Sequence, residues 1–192
     1  MKNFKLTTSI KLIILCLFIN SCSNETVEMH TYESKSHSML ELLNYETNRT
    51  NHDLPDEILN AELKTKFTTN VNVPEDLSSE ELLEFFNNNL QDTNGSLEFI
   101  INEVTTLKFD ILDGNIVNTT ERRLYSNTGF TASECTAPSE YPRACECSLE
   151  GVRQCANNRV YSLTTVEAIV CAFEFWPCYG LHAAACTEQN CL

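Results

Sequence analysis

Cysteine is the residue type through which this chain can do chemistry, because its 192 residues include ten cysteines. Clustered cysteines serve as disulfide partners, as zinc ligands or as catalytic thiolates. Eight of the ten fall within 57 residues, at the spacing C-x9-C-x-C-x7-C-x15-C-x6-C-x7-C-x4-C. These eight are Cys135, Cys145, Cys147, Cys155, Cys171, Cys178, Cys186 and Cys191.

The surroundings of this cluster disfavour zinc. Structural zinc sites usually contain C-x2-4-C pairs together with a second pair of cysteines or histidines. Here the closest pair is Cys145 and Cys147, and His182 is the one histidine between residues 135 and 192. We therefore predict no metal site.

Catalysis is also disfavoured by the residue pattern. A dyad of Cys178 or Cys186 with His182 requires a free thiolate and a third group that orients the imidazole. No G-x-S-x-G motif, H-E-x-x-H motif or glycine-rich phosphate loop occurs in the chain. We expect no catalytic residue, no cofactor and no enzyme activity. A disulfide-dependent hydrolase with catalytic residues scattered along the sequence is the alternative.

The N-terminus has the features of an export signal. Lys2, Lys5 and Lys11 accompany an apolar run over residues 12–19, which is about half of the roughly 20 residues that span a bilayer. The run ends in Ile19-Asn20-Ser21-Cys22, which resembles the lipobox of bacterial lipoproteins. This resemblance implies cleavage before Cys22 and acylation of that cysteine with palmitate-type chains. An ordinary secretory signal, in which Cys22 is incidental, is the alternative.

Cysteine parity agrees with the lipobox. If Cys16 leaves with the signal and Cys22 is acylated, eight cysteines remain, which is the even set that four disulfides require in an oxidising compartment. Cys145 and Cys147 are too close to pair with each other, and eight cysteines allow 105 pairings. Ser23 follows the lipobox, so we expect the cell envelope, and the outer membrane or cell surface within it.

The charge balance excludes one class of partner. The chain has 27 acidic and 13 basic residues, and residues 23–134 account for a formal charge of −14. A surface of this sign repels phosphate, so we predict no nucleic-acid binding. It also repels anionic headgroups, so membrane attachment depends on the lipid at Cys22. The protein or envelope ligand is left open.

The elements that must position the cysteines follow from composition. We predict a signal over residues 1–21, a lipidated tether over 22–38, an acidic and mainly helical region over 39–134, and a disulfide-rich domain over 135–192. The fold class expected is mainly α, with α+β and one hairpin as a variant.

Four patterns in the acidic region support these elements. Pro55 can begin a helix whose apolar face carries Ile58, Leu59, Leu63 and Phe67. Ser78 and Glu81 form a capping box ahead of a second helix. Residues 97–104 suit a short helix, and Asp113-Gly114 is typical of a hairpin turn.

The most apolar stretch after the signal is residues 163–176. Thr164 or Thr165 can cap a helix there, and a strand over residues 160–169 is possible because of its β-branched residues. This segment is either the core of its own domain or an apolar element that contacts a target membrane. Residues 180–186 suit a short helix that ends the domain.

The sequence Cys145-Glu146-Cys147-Ser148 and the closing run from Cys178-Tyr179-Gly180-Leu181 to Cys191 resemble cysteine-rich bacteriocin precursors of the fulvocin and halocin types. This resemblance implies a C-terminal peptide that acts on the envelope of competing cells, with Arg122-Arg123 as the release point. The alternative is a surface lipoprotein that binds a host or envelope ligand through the cysteine-rich module, without catalysis.

Overall fold

The computed structural model of the protein describes residues 27–47, 54–122, 124, 147–173 and 178–191. The export signal, the lipobox with Cys22, Arg123, Cys135 and Cys145 lie outside the described residues. The predictions that concern them are therefore left as predictions.

A six-stranded antiparallel sheet forms the centre of the molecule. Its strands run in the order β1-β3-β4-β5-β6, and β2 pairs with β3 alongside β1. The strands are β1 (His30–Glu33), β2 (His37–Ser38), β3 (Glu62–Thr69), β4 (Gly95–Ile101), β5 (Val104–Leu112) and β6 (Asn115–Glu121). Because β1 and β2 belong to the sheet, the stretch predicted as a tether, residues 22–38, overlaps the folded body.

Helices cover one face of the sheet. They are α1 (Met39–Thr47), α2 (Asp56–Leu59), α3 (Ser79–Asn89), α4 (Leu149–Tyr161), α5 (Thr165–Phe173) and α6 (Cys178–Cys191), and a 3-10 turn (Leu90–Asp92) follows α3. Inside the described ranges, no single helix is long and apolar enough to cross a membrane. Only α5 and α6 taken together, bent by 94°, have the required length and composition.

The prediction of a mainly α fold is wrong, because the sheet makes this an α+β protein. The helix predicted after Pro55 ends at Leu59, and Leu63 and Phe67 lie on β3 instead. Residues four apart share a face in both a helix and a strand, so Leu63 and Phe67 fit either element. The burial of Thr65 and Thr69 on the same face shows the period of two that identifies the strand.

Residues 97–104 are also strand rather than helix. Leu97 and Phe99 alternate toward the core, and a turn at Asn102-Glu103, with φ of 49° and 62°, leads from β4 into β5. The predicted hairpin at Asp113-Gly114 is confirmed, with φ of 48° and 71° at its two central residues. Two left-handed residues in succession match the twist of the flanking strands.

Two predicted helix starts are confirmed. The Ser78 side chain accepts a hydrogen bond from the Glu81 amide, and the Glu81 carboxylate accepts one from the Ser78 amide. Thr164 caps α5 in the same reciprocal way with Glu167. These caps satisfy amides that have no partner inside the helix.

The core lies between the sheet and the helices. Thr65 on β3 donates a hydrogen bond of 3.0 Å to the Ala172 carbonyl on α5. Phe67, Phe86 and Phe173 pack as an aromatic cluster with ring centroids 5.7–5.9 Å apart. Residues of the acidic region and of the cysteine-rich segment therefore share one hydrophobic cluster.

The described part of the apolar stretch, residues 163–173, contributes to this core. Val166, Ile169 and Val170 on α5 are buried among the residues of the shared cluster. This favours the core assignment over contact with a target membrane.

The opposite face of the sheet is a ladder of alternating charges. The register aligns Glu33, Lys66, Glu98 and Lys108 across four neighbouring strands. Lys64 and Glu103 form a further pair on β3 and the adjacent turn, with Nζ 3.0 Å from the carboxylate. Opposite charges on adjacent strands stabilise a solvated face.

Candidate functional site

Among the described residues, three disulfides tie the C-terminal helices together. Cys147–Cys191 joins the start of α4 to the end of α6, Cys155–Cys186 joins the middles of the same helices, and Cys171–Cys178 joins α5 to α6. The prediction of disulfide bonding is thus confirmed for six of the clustered cysteines. Each closed loop adds about 2–4 kcal/mol of stability by restricting the unfolded chain.

The disulfides remove the one nucleophilic dyad that the sequence allowed. Cys178 and Cys186 are both oxidised, so neither can supply a thiolate to His182. Burial lowers the pKa of His182, and the nearby Arg159 lowers it further. The lowered pKa favours the neutral form of this imidazole on α6.

Metal binding finds no support in the part of the chain that the structure describes. No three His, Cys, Asp or Glu side chains converge there as a metal site would require. All six described cysteines are in disulfides, which removes thiolates as ligands for zinc.

A polar cluster with a buried arginine lies where β6 meets α4 and α6. At its centre is Arg153, whose side chain is 1% exposed. Its Nη1 donates to Glu121 at 2.6 Å, and its Nε and Nη2 donate to the two Glu150 oxygens at 2.9 and 2.8 Å. Asn157 donates to the same Glu121 oxygen at 2.9 Å and accepts from the Tyr179 hydroxyl at 2.9 Å.

The electrostatics of this cluster argue for a structural role. Burial alone would lower the pKa of Arg153, but the carboxylates of Glu150 and Glu121 outweigh it, and the pKa is raised. Burial would raise the pKa of Glu121, yet the hydrogen bonds from Arg153 and Asn157 outweigh it and hold that pKa below its usual range. A general acid requires a raised carboxyl pKa, so this carboxylate is unsuited to that task.

Sequence reasoning missed this cluster. The sequence does carry one signal for the cluster: Glu150 lies three residues before Arg153, which is the spacing of an ion pair on one helix face. Glu121 and Tyr179 are distant in sequence from both, and only the packing of α4 and α6 against β6 brings them within hydrogen-bond distance.

A shallow groove of about 540 Å³ lies beside β1. It is lined by residues 29–32 and residues 72–75. The Tyr32 hydroxyl accepts from the Val73 amide at 2.8 Å and contacts Asn72 Oδ1 at 3.4 Å. The polar groups at this groove therefore already bind one another and fix the loop against the strand.

The two edges of the sheet differ in their protection. β1 has four residues and is followed by Ser34, whose amide donates to Thr65, and by Lys35. β6 has seven residues, all exposed, and within the described residues it pairs only with β5. A strand edge without a partner presents unpaired amide and carbonyl groups.

The register shows which β6 groups point outward. The Arg122 amide donates to the Thr106 carbonyl, so alternate residues back along β6, Thr120 and Asn118, also bond to β5. Thr119 and Glu121 therefore direct their own amide and carbonyl groups away from the sheet.

Comparison with protein-family models, curated proteins and solved structures found no match.

Proposed function

We propose that this protein is an exported lipoprotein of the cell envelope, anchored through acylated Cys22, whose intact α+β body binds a host or envelope ligand without catalysis. The disulfides support export, because such bonds persist in oxidising compartments. The lipobox-like sequence at Cys22 supports the anchor and a position at the outer membrane or cell surface.

One observation carries the choice of an intact body over a released peptide. The helices of the cysteine-rich segment and the strands of the acidic region share a single core. Phe173 on α5 packs against Phe67 on β3, and the buried Tyr179 on α6 packs against Phe99 on β4 with ring centroids 4.8 Å apart.

Release after Arg123 would separate these surfaces. Each large apolar side chain returned to water costs about 1.5–3 kcal/mol, and both the sheet and the helices would lose several such contacts. The geometry therefore favours a binding protein that works as one unit over a bacteriocin precursor whose C-terminal part acts alone.

The test is the intact mass of the natural protein in membranes and in medium, before and after thiol alkylation. We expect a membrane form that carries acyl chains on Cys22 and no free thiol. Protease treatment of whole cells should remove it if it lies at the surface. A C-terminal fragment in the medium that inhibits related cells would contradict the proposal and favour the hypothesis of a bacteriocin precursor.

The matched variant is Cys22→Ala, which removes the acylation site and leaves the folded body unchanged. We expect this variant to move from the membrane fraction to the soluble fraction. Unchanged membrane association would contradict the lipid anchor.

A further inference from the structure

We propose that the outer edge of β6, which has no partner strand among the described residues, is the binding surface of this protein, and that it accepts an extended, positively charged peptide segment as an added antiparallel strand. This inference rests on the proposed binding function and names its site and the chemistry of its partner. The contact would use the outward backbone groups of Thr119 and Glu121, in the manner of strand addition to an exposed sheet edge.

The composition of β6 lacks two of the residue types that protect strand edges. Edges are usually blocked by lysine, proline, charge or a bulge. β6 reads NIVNTTE, with neither lysine nor proline, and four of its seven residues are β-branched. A register shift between Asp110 and Ile111 places a bulge at Val117, near the hairpin, and leaves residues 118–121 regular.

The one charged side chain on β6 does not block its outer edge. Glu121 accepts hydrogen bonds from Arg153 at 2.6 Å and from Asn157 at 2.9 Å, so its carboxylate is drawn toward the helices. The buried cluster thus leaves the outer edge of β6 without a charge that faces an incoming strand.

Apolar side chains beside the edge offer contacts to a partner. Val117 is 58% exposed and Leu112 is 53% exposed at the hairpin, and Ile116 lies between them in sequence on β6. Tyr161 at the end of α4 packs its ring on Phe109 of β5 and is itself 44% exposed. Side chains of an added strand that point toward the helices would meet Ile116 and Tyr161.

The net charge of the molecule indicates which kind of peptide segment would bind at this edge. Without the three lysines of the signal, ten basic and 27 acidic side chains remain, a formal charge of −17. A field of this sign attracts basic segments and repels a second copy of the chain. We therefore assign the edge to a basic partner strand rather than to a dimer of this protein.

The experiment is hydrogen exchange of the full mature protein with a synthetic peptide of alternating lysine and valine as the probe. At a peptide concentration of about ten times Kd, exchange of the Thr119 and Glu121 amides should slow by about tenfold, since only the free fraction exchanges. The Thr120 amide, which bonds to β5, should be slow with and without peptide. The same peptide with glutamate in place of lysine should give no protection.

Two variants provide a matched pair. Thr119→Pro removes an outward amide without removing a bond to β5, and proline is tolerated at such edge positions. It should weaken peptide binding by about tenfold or more. Thr31→Pro makes the equivalent change on the opposite edge, because alternation from the Ser34 bond turns the Thr31 amide outward on β1. It should leave binding unchanged.

Three results would overturn the inference. Slow exchange of the Thr119 amide in the free monomer would mean that the chain covers its own edge. Protection that rises with protein concentration would assign the edge to a second copy. The basic peptide could also fail to protect these amides in a protein whose Cys22 anchor and surface exposure are verified. That result would refute the assignment of the β6 edge as the binding surface and would not affect the proposed function.

Discussion

The C-terminal helices are held to the sheet in two different ways at its two ends. Near β1 and β3 the contact is aromatic: Tyr32, Phe67, Phe86 and Phe173 pack ring against ring. Near β6 the contact is a network of hydrogen bonds and ion pairs around Arg153.

The difference lies in what each end contributes. Apolar burial is strong and tolerates small changes in orientation. A buried ion pair adds little net stability because desolvation offsets attraction, but it requires one geometry. The aromatic end supplies most of the free energy of packing, and the polar end fixes the angle at which α4 meets β6.

The largest expected effect is at the aromatic end. Phe67→Ala removes a ring that is 1% exposed and contacts both α3 and α5, and it should lower the free energy of unfolding by about 3–5 kcal/mol. Chemical denaturation measures this. The control is Leu83→Ala on α3, whose side chain is 40% exposed and whose loss should cost less than about 1 kcal/mol. Equal losses in the two variants would contradict the assignment of the core.

A smaller loss is expected at the polar end. Arg153→Ala leaves Glu121 and Glu150 without their shared partner and should cost about 3 kcal/mol. Arg159→Ala is the control, because this arginine lies on the same helix and makes an exposed hydrogen bond of 3.2 Å to Gln189. Arg159→Ala should cost less than about 0.5 kcal/mol.

Arg153→Met sharpens the comparison, since methionine retains much of the length and loses the charge. If Arg153→Met were as stable as the natural protein, the ion pairs would contribute nothing beyond packing. An unchanged angle between α4 and β6 in this variant would contradict the role given to the polar end.

The smallest effect is on the pH dependence of stability. The folded pKa of Glu121 lies below its unfolded value of about 4.5, so its contribution is complete above that pH and is lost as pH falls through the folded pKa. Stability should therefore decline on acidification, and Arg153→Ala should decline less over the same range. Denaturation midpoints at a series of pH values test this.

Other carboxylates supply the background for that measurement. Glu81 and Glu167 also have lowered pKa values because of the backbone and side-chain hydrogen bonds of their caps, and Asp110 has one because of Asn118 and Lys108. These carboxylates contribute equally to the natural protein and to Arg153→Ala. The difference between the two curves of stability against pH therefore reports the contribution of the polar end. Parallel curves would contradict the role given to Glu121.

Local signals predicted local structure well. The Ser78–Glu81 capping box, the Thr164 cap and the Asp113-Gly114 turn depend on residues within a few positions of one another, and each is confirmed. The strands β3 and β4 were mistaken for helix because an i, i+4 apolar pair fits both periods. Pairing with β5 and burial against α5 decide between them, and neither is visible in a short window.

The candidate sites divide in the same way. The presence of disulfides followed from the number and spacing of the cysteines, whereas their pairing did not, because α4 and α6 must first pack side by side. Nothing in the composition indicated that Arg153 would be buried or that β6 would end the sheet. Both features arise from contacts between residues far apart in the chain.

The sequence by itself therefore determined the caps, the hairpin turn, the acidic charge and the need for crosslinks, and it predicts an export signal ending at Cys22. Only the tertiary structure decided the α+β fold, the disulfide pairing of the described cysteines, the ionic network and the place of β6 at the edge of the described sheet. The physical reason is the sequence separation of the interacting residues. Caps and turns gain their hydrogen bonds from near neighbours, whereas strand order and burial depend on closing long loops around a shared core.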